Sequence, residues 1–164
     1  MTEGLSVRPA STADATAIAR IYNEGIEDRV ATFETTPREE ADVLAWFTAC
    51  ATHPIVVVEQ EGEVVGYAAT SPSSGRCCYA GNADFSVYVA RRARRTGVGQ
   101  RAMEGLLEAS RSAELTKLVS GVFPENAASR ALLRGLGFRE IGTYARHGKL
   151  DGVWRDVVIV ELLL

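Results

Sequence analysis

A chain of 164 residues suffices for one ordinary hydrophobic core and is too short for two. With 46% hydrophobic and 24% charged residues, it has the balance of a folded globular protein and not of a disordered or fibrous one. A formal net charge of −3 excludes a molecule built to coat nucleic acid or an anionic membrane.

The opening Met-Thr-Glu-Gly-Leu-Ser lacks the basic and apolar stretches of a signal peptide. Leu5 to Arg8 reads as a short strand ending at Pro9. Ser11 with Asp14 is a capping pair, and the helix it opens carries Ile18, Ile21, Tyr22 and Ile26 on one face. Asp28 to Pro37 is a loop with Val30, Ala31 and Phe33 at its tip, and Glu39 to Ala51 a second helix with Val43, Leu44 and Phe47 inward. Ile55 to Glu59 and Val64 to Thr70 form a hairpin around Glu61-Gly62. A Ser/Gly-rich connection, Ser71 to Gly75, leads to a strand at Asp84 to Ala90. Thr96 to Ser112 is helical, Leu115 to Val122 a strand, and Glu125 to Leu136 a helix. Phe138 to Ala145 and Val153 to Leu163 are the last two strands. Strands at both ends around a strand-helix-strand-helix-strand middle predict one α+β domain over residues 1–164, with a mixed sheet. The apolar runs at Ile55–Val58 and Val157–Val160 are far shorter than a membrane span. The three cysteines, Cys50, Cys77 and Cys78, are odd in number and include an adjacent pair, which argues against a disulfide framework or a zinc site. A reducing cytoplasm is the expected compartment, with no metal, nucleic acid or membrane among the partners.

The most informative segment is Ser86-Val87-Tyr88-Val89, a basic turn, and then Arg94-Arg95-Thr96-Gly97-Val98-Gly99-Gln100 opening a helix. A helix N-terminus offers unpaired amides and partial positive charge to phosphate. Gly97 and Gly99 allow close backbone approach, and Arg94 and Arg95 add charge-assisted contacts. No Lys-Ser or Lys-Thr follows the glycines, so this is not a Walker A loop. Met103 stands where a dinucleotide fingerprint would need its third glycine. The basic cluster Arg91, Arg92, Arg94 and Arg95 lacks interleaved aromatics, which favours cofactor phosphate over nucleic acid.

Arg94, Gly97 and Gly99 occupy the defining positions of a pattern, [QR]-x-x-G-x-[GA], that resembles the coenzyme A signature of GNAT acetyltransferases. The Ser-Val-Tyr-Val strand before it, Asn126 in Glu125-Asn126-Ala127-Ala128-Ser129, and the step Leu136-Gly137-Phe138 are similar to the same family, so the resemblance runs from Arg8 to Leu162. Within it, Ile21-Tyr22-Asn23, Ala31 to Pro37, Cys78-Tyr79-Ala80-Gly81 and His147 to Asp156 resemble the phosphinothricin, methionine sulfoximine and arsinothricin group, the last run most like the arsinothricin branch.

The resemblance implies a GNAT fold, a twisted mixed sheet of about six to seven strands flanked by about four helices, with the fourth and fifth strands splayed. It implies acetyl-CoA as co-substrate, held by Val87, Tyr88, Val89, Arg94, Arg95, Thr96, Gly97, Val98, Gly99, Gln100, Asn126 and Ser129. The acceptor is then the free amine of a small amino-acid-like compound, attacked directly in a ternary complex as in detoxification of, and resistance to, such compounds. Asp84 stands where the family has a Glu that takes the amine proton; being one methylene shorter, roughly 1.5 Å, it favours a water relay or only binds the ammonium. Arg76 and Tyr79 align with residues that hold the acidic head of the substrate, and Ser74 replaces a second basic residue usual there. Phe33 is a pocket wall or a loop anchor, and His147 an active-site or a structural histidine. His53 reads as a surface residue, and Cys77-Cys78 as loop packing rather than a soft-metal site. Family likeness, with a last strand Val157 to Leu164 too apolar for a bare edge, leads to an expected homodimer. The rival readings are acetylation of another amine (a protein N-terminus, an antibiotic, a polyamine) and a non-catalytic acyl-CoA sensor.

Overall fold

Alternate side chains of the inner strands feed two separate cores, one on each face of a single sheet. The structure, a computed structural model, describes residues 4–49 and 51–164; Cys50 lies outside the described residues. Its strands are β1 (Leu5–Pro9), β2 (Ile55–Gln60), β3 (Glu63–Pro72), β4 (Asn82–Val89), β5 (Lys117–Val122), β6 (Arg139–Leu150) and β7 (Val153–Leu163). The helices are α1 (Ala15–Asp28), α2 (Glu40–Ala49), α3 (Val98–Ser112) and α4 (Ala127–Gly135). This is the expected α+β layout with one mixed sheet, and most boundaries fall within two residues of those read from the sequence, but β6 runs five residues past the expected end at Ala145.

The seven strands lie in the order β1-β2-β3-β4-β5-β7-β6. Every neighbouring pair is antiparallel except β4 and β5, which are parallel. Val56 and Val58 of β2 join Met103, Leu106 and Leu133 in the core under α3 and α4. Ile55 and Val57, the alternate positions, join Ile18, Ile21 and Val43 under α1 and α2. Each such side chain stabilises by about 1.5–3 kcal/mol when buried, so slipping β2 by one residue would exchange the two faces without relieving either core.

The expectation that Val157 to Leu164 needs cover from a second chain is corrected here. β7 is not an edge, because β5 and β6 pair with it on either side. The final hairpin folds β6 onto the outside, and β6 is the strand left at the edge, exposing Ile141 and Tyr144.

The N-terminal strand is clasped to α1 and β2 by one guanidinium. Asp14 accepts from Arg8 Nη1 and Nη2 at 2.8 and 2.9 Å and from the Ser11 N–H at 2.8 Å, while Glu59 Oε1 accepts from Arg8 Nε at 3.0 Å. The hydrogen bonds from Arg8 hold the Asp14 carboxyl below its ordinary range, against the opposing pull of burial. A depressed carboxyl stabilises the fold above its unfolded pKa and ceases to as pH falls through the folded value. Asp14→Asn should therefore lose about 1–3 kcal/mol at pH 7, with the gap to wild type narrowing below about pH 4. Urea melts at pH 7 and pH 3 check this; an equal gap at both would refute the ionic origin.

Candidate active site

The two parallel strands at the centre of the sheet stay together for only three residues. Asn82, Ala83 and Asp84 pair with Lys117, Leu118 and Val119, and beyond that point β4 continues against β3 alone. Against the free arm of β4 lies a cavity of about 560 Å³. Val87, Tyr88 and Val89 of β4 line one side and Asn126, Ala128, Ser129 and Leu132 of α4 the other, with Arg94, Arg95, Gly97, Gly99 and Gln100 at its base.

That base presents the start of a helix, an arrangement of backbone amides that suits an anion. α3 begins at Val98, two residues later than the sequence suggested, because Gly97 takes the cap position at φ 88°, a left-handed conformation that suits glycine. The Arg101 N–H closes on the Gly97 carbonyl at 3.0 Å, so the first-turn amides of Val98, Gly99 and Gln100 have no carbonyl within the helix to bond. The Val98 side chain is buried in the core against Gly66, so only its amide serves the cavity. The Thr96 hydroxyl donates to the Ala93 carbonyl at 2.6 Å and shapes the turn. Asn126 caps α4, its Oδ1 accepting the Ser129 N–H at 3.2 Å, which leaves its Nδ2 as the donor for a ligand.

The arginines are not equivalent. Arg94 lies 2.6 Å from Asp28 Oδ2 and Arg91 2.9 Å from Asp28 Oδ1, whereas Arg95 has no ion pair among the described residues. Burial pushes the Asp28 carboxyl up, but the hydrogen bonds from Arg94 and Arg91 together hold it below its ordinary value. Asp28, with Gly25, Val30 and Ala31, completes the cavity wall from α1 and the loop behind it. Sequence reasoning missed these four as binding residues, since nothing local ties α1 to a glycine loop some 70 residues on.

At the root of the fork Asp84 is the last residue of β4 paired with β5. Burial of its surroundings raises its carboxyl pKa, opposed by the Ser73 hydroxyl, which donates to Oδ1 at 3.0 Å. The loop carrying Arg76 and Tyr79 closes on the Pro72–Ala83 pair, one position from Asp84. The Arg76 guanidinium lies 5.4 Å from the centre of the exposed Tyr79 ring. Cys77 and Cys78 occupy an exposed 3-10 turn between them as free thiols. Phe33 meets Phe123 edge to face at 4.8 Å and rests on Gly148, where a Cβ would come within 2.8 Å of its ring. His147 lies against Tyr144 with ring centres 4.7 Å apart on β6, whereas the register runs from Asp84 through Val119 and Glu161 to Arg139, eight residues away along that strand. The fold thus gathers the cofactor-type residues and Asp84 around one fork, and leaves His147 apart from Asp84. Among the described residues no three His, Cys, Asp or Glu side chains group closely enough to hold a metal ion.

These residues fit a phosphorylated acyl carrier: free amides and Arg95 for anionic oxygens, and an apolar channel between Val87 and Leu132 for an arm. Residues 18–138 match the profile of the Acetyltransferase (GNAT) family. An L-methionine sulfoximine/L-methionine sulfone acetyltransferase of Pseudomonas paraeruginosa is 35% identical, over 97% of this chain and 94% of that one. Among solved structures, a ribosomal-protein-alanine N-acetyltransferase from Brucella melitensis superposes with a TM-score of 0.93 at 34% identity, covering 97% of this chain and 99% of that one. A GNAT phosphinothricin acetyltransferase from Sinorhizobium meliloti, in complex with AcCoA, superposes with a TM-score of 0.91 at 30% identity, covering 98% and 89%.

Gly97→Val places a β-branched residue at φ 88° in the wall of the anion site. Calorimetry with coenzyme A should show affinity lowered at least about tenfold, while the thermal melt stays cooperative. Unchanged affinity would remove the anion site from this helix.

Proposed function

From the premise that this chain belongs to the GNAT family and is an acetyl-CoA-dependent N-acetyltransferase, we propose that its acceptor is the α-amine of a small amino acid with a tetrahedral polar or anionic head. Phosphinothricin, methionine sulfoximine and arsinothricin are compounds of this kind. The observation that supports the reading is Asp84 at the last β4–β5 pair, with Arg76 on the loop that the Pro72–Ala83 pair closes. The names of the Pseudomonas and Sinorhizobium relatives support the same substrate class.

When bound, acetyl-CoA supplies an activated thioester carbonyl. The first-turn amides of α3 with Arg95 hold its diphosphate, and Asn126 and Ser129 hold its arm. The Val89 N–H, on the edge of β4 that β5 abandons, polarises the carbonyl oxygen, while the Tyr88 N–H faces Tyr67 on β3. Asp84 takes the proton that an ammonium must shed before its nitrogen can attack, directly or through one water. Its raised pKa makes it a better base than an ordinary aspartate. Arg76, with Tyr79 beside it, grips the head. Amine and thioester are held together for direct attack, so the gain comes mainly from orientation. The work is suited to a cytoplasmic detoxifying enzyme. We also infer a homodimer, since the β6–β7 hairpin exposes Ile141, Tyr144, Val153 and Trp154. Sedimentation should give twice the 17.7 kDa of one chain at micromolar concentration; a monomer would overturn this.

A thiol-release assay with acetyl-CoA and a panel of amines tests the substrate class. Turnover with an amino acid of the named kind, and not with polyamines, aminoglycosides or an alanine-starting peptide, is the expected result. Turnover with the peptide alone would move the acceptor to a protein N-terminus. Asp84→Asn should lower kcat about 10²–10⁴-fold, and Arg76→Ala should chiefly raise KM for the amine.

The Ser73 contact adds a test by pH. The hydroxyl favours the ionised form of Asp84, so removing it raises the carboxyl pKa further. Activity needs the carboxylate, and Ser73→Ala should therefore move the acidic limb of the kcat profile to higher pH. A limb that stays in place would separate that limb from Asp84.

A further inference from the structure

The two arginines at the base of the cavity are committed differently. Arg94 is extended at φ −67° and ψ 147°, and Arg95 follows at φ 64°, in the left-handed region, so the chain turns sharply between them. The Arg94 guanidinium makes two contacts that Arg95 lacks. Its Nη1 lies 2.6 Å from Asp28 Oδ2, and its Nε donates to the Val89 carbonyl at 3.3 Å.

Val89 stands on the free edge of β4. The Ala90 N–H donates to the Val65 carbonyl at 2.8 Å, and in an antiparallel ladder bonded and non-bonded pairs alternate. Tyr67–Tyr88 is therefore a bonded pair, and Gly66–Val89 is not. Both the N–H and the C=O of Val89 face the edge that β5 leaves after Asp84. That N–H polarises the thioester carbonyl. The C=O has no strand to pair with, and Arg94 satisfies it.

Asp28 holds Arg94 in that place. It ends α1, and its other oxygen accepts from Arg91 Nη2 at 2.9 Å. The Arg91 N–H in turn donates to Glu24, one helical turn earlier. The turn that carries both arginines is thus stapled to the end of α1. The Val89 side chain lies beside Gly99, so one residue joins the free edge to the first turn of α3.

We propose that Arg94 is a positioning residue: clamped by Asp28, its guanidinium caps the Val89 carbonyl and fixes the free end of β4, and so the N–H that faces the thioester. The proposal rests on the reading of this cleft as the acetyl-transfer site. The diphosphate is left to Arg95 and the amides of α3, and Arg94 serves turnover more than cofactor affinity.

Two substitutions separate the hydrogen bond from the charge. Arg94→Gln can place its amide nitrogen where Nε stands, which keeps a donor for the carbonyl and removes the charge. Arg94→Met has similar reach and no donor. With the best amine of the panel, Arg94→Met should lower kcat about tenfold, and Arg94→Gln should stay within about threefold of wild type. Calorimetry with coenzyme A should give a Kd within about threefold of wild type for both, whereas Arg95→Met should weaken binding about tenfold. Asp28→Ala should lower kcat as Arg94→Met does, and joining the two should lower it no further. A Kd raised tenfold by both Arg94 variants would make Arg94 a phosphate ligand and overturn the proposal. Wild-type kcat in Arg94→Met, or additive losses in the double variant, would overturn it too. If wild type acetylates no amine of the panel, the substrate reading fails; the calorimetry and the coincidence of the two losses, read in thermal melts, then decide the role of Arg94.

Discussion

In a folded chain almost every backbone N–H and C=O must find a partner, and a sheet that opens down its middle sets aside that rule on two facing edges. β4 and β5 share three residue pairs and then part, so one edge of the segment from Phe85 to Val89 faces no strand. The other edge is secured along its whole length by β3, from Gly66–Val89 to Pro72–Ala83, which keeps β4 straight while its partner leaves. β5 turns instead towards β7, with which it pairs along all of Lys117 to Val122. The cavity, the approach to the α3 amides and the exposed position of Asp84 all follow from that separation.

The electrostatics of the fork are local and run against those of the whole molecule. A chain with net charge −3 concentrates Arg91, Arg92, Arg94 and Arg95 within five residues beside the amides of α3. Two of the four are tied to Asp28, which keeps the cluster from being a bare patch of like charge. Arg92 is spent on Glu63 at the surface. That leaves Arg95 and backbone dipoles as the uncommitted positive groups facing the cavity, an arrangement selective for a ligand that can reach into the fork.

An aromatic cluster plays the corresponding part in packing. Tyr22, Trp46, Tyr67 and Tyr88 come from α1, α2, β3 and β4, and their mutual contacts register the helical layer against the strand bearing Asp84. Phe33 does the same for β5 and the terminal hairpin through Phe123 and Gly148. The loop between these two clusters is held by Phe33 on Phe123 and by the Asn23 side chain of α1 on the Arg38 backbone.

The sequence by itself determined the local elements. Periodicity marks α1 and α3, Glu61-Gly62 marks the hairpin, and Arg94 to Gln100 marks a basic, glycine-containing helix start, because each of these is written in neighbouring residues. Asp84 could be singled out for the same reason, by its distance from a recognisable strand. The tertiary structure alone decided that Asp28 faces the glycine loop, that Tyr22 meets Tyr88, and that Val157 to Leu163 run inside the sheet with β6 outside. Strand order is fixed by which edges remain open once earlier strands have paired, and contacts between distant segments by how two cores share one sheet. Neither is a property of any short stretch of chain, whereas a cap, a turn or an amphipathic face is complete within a few residues.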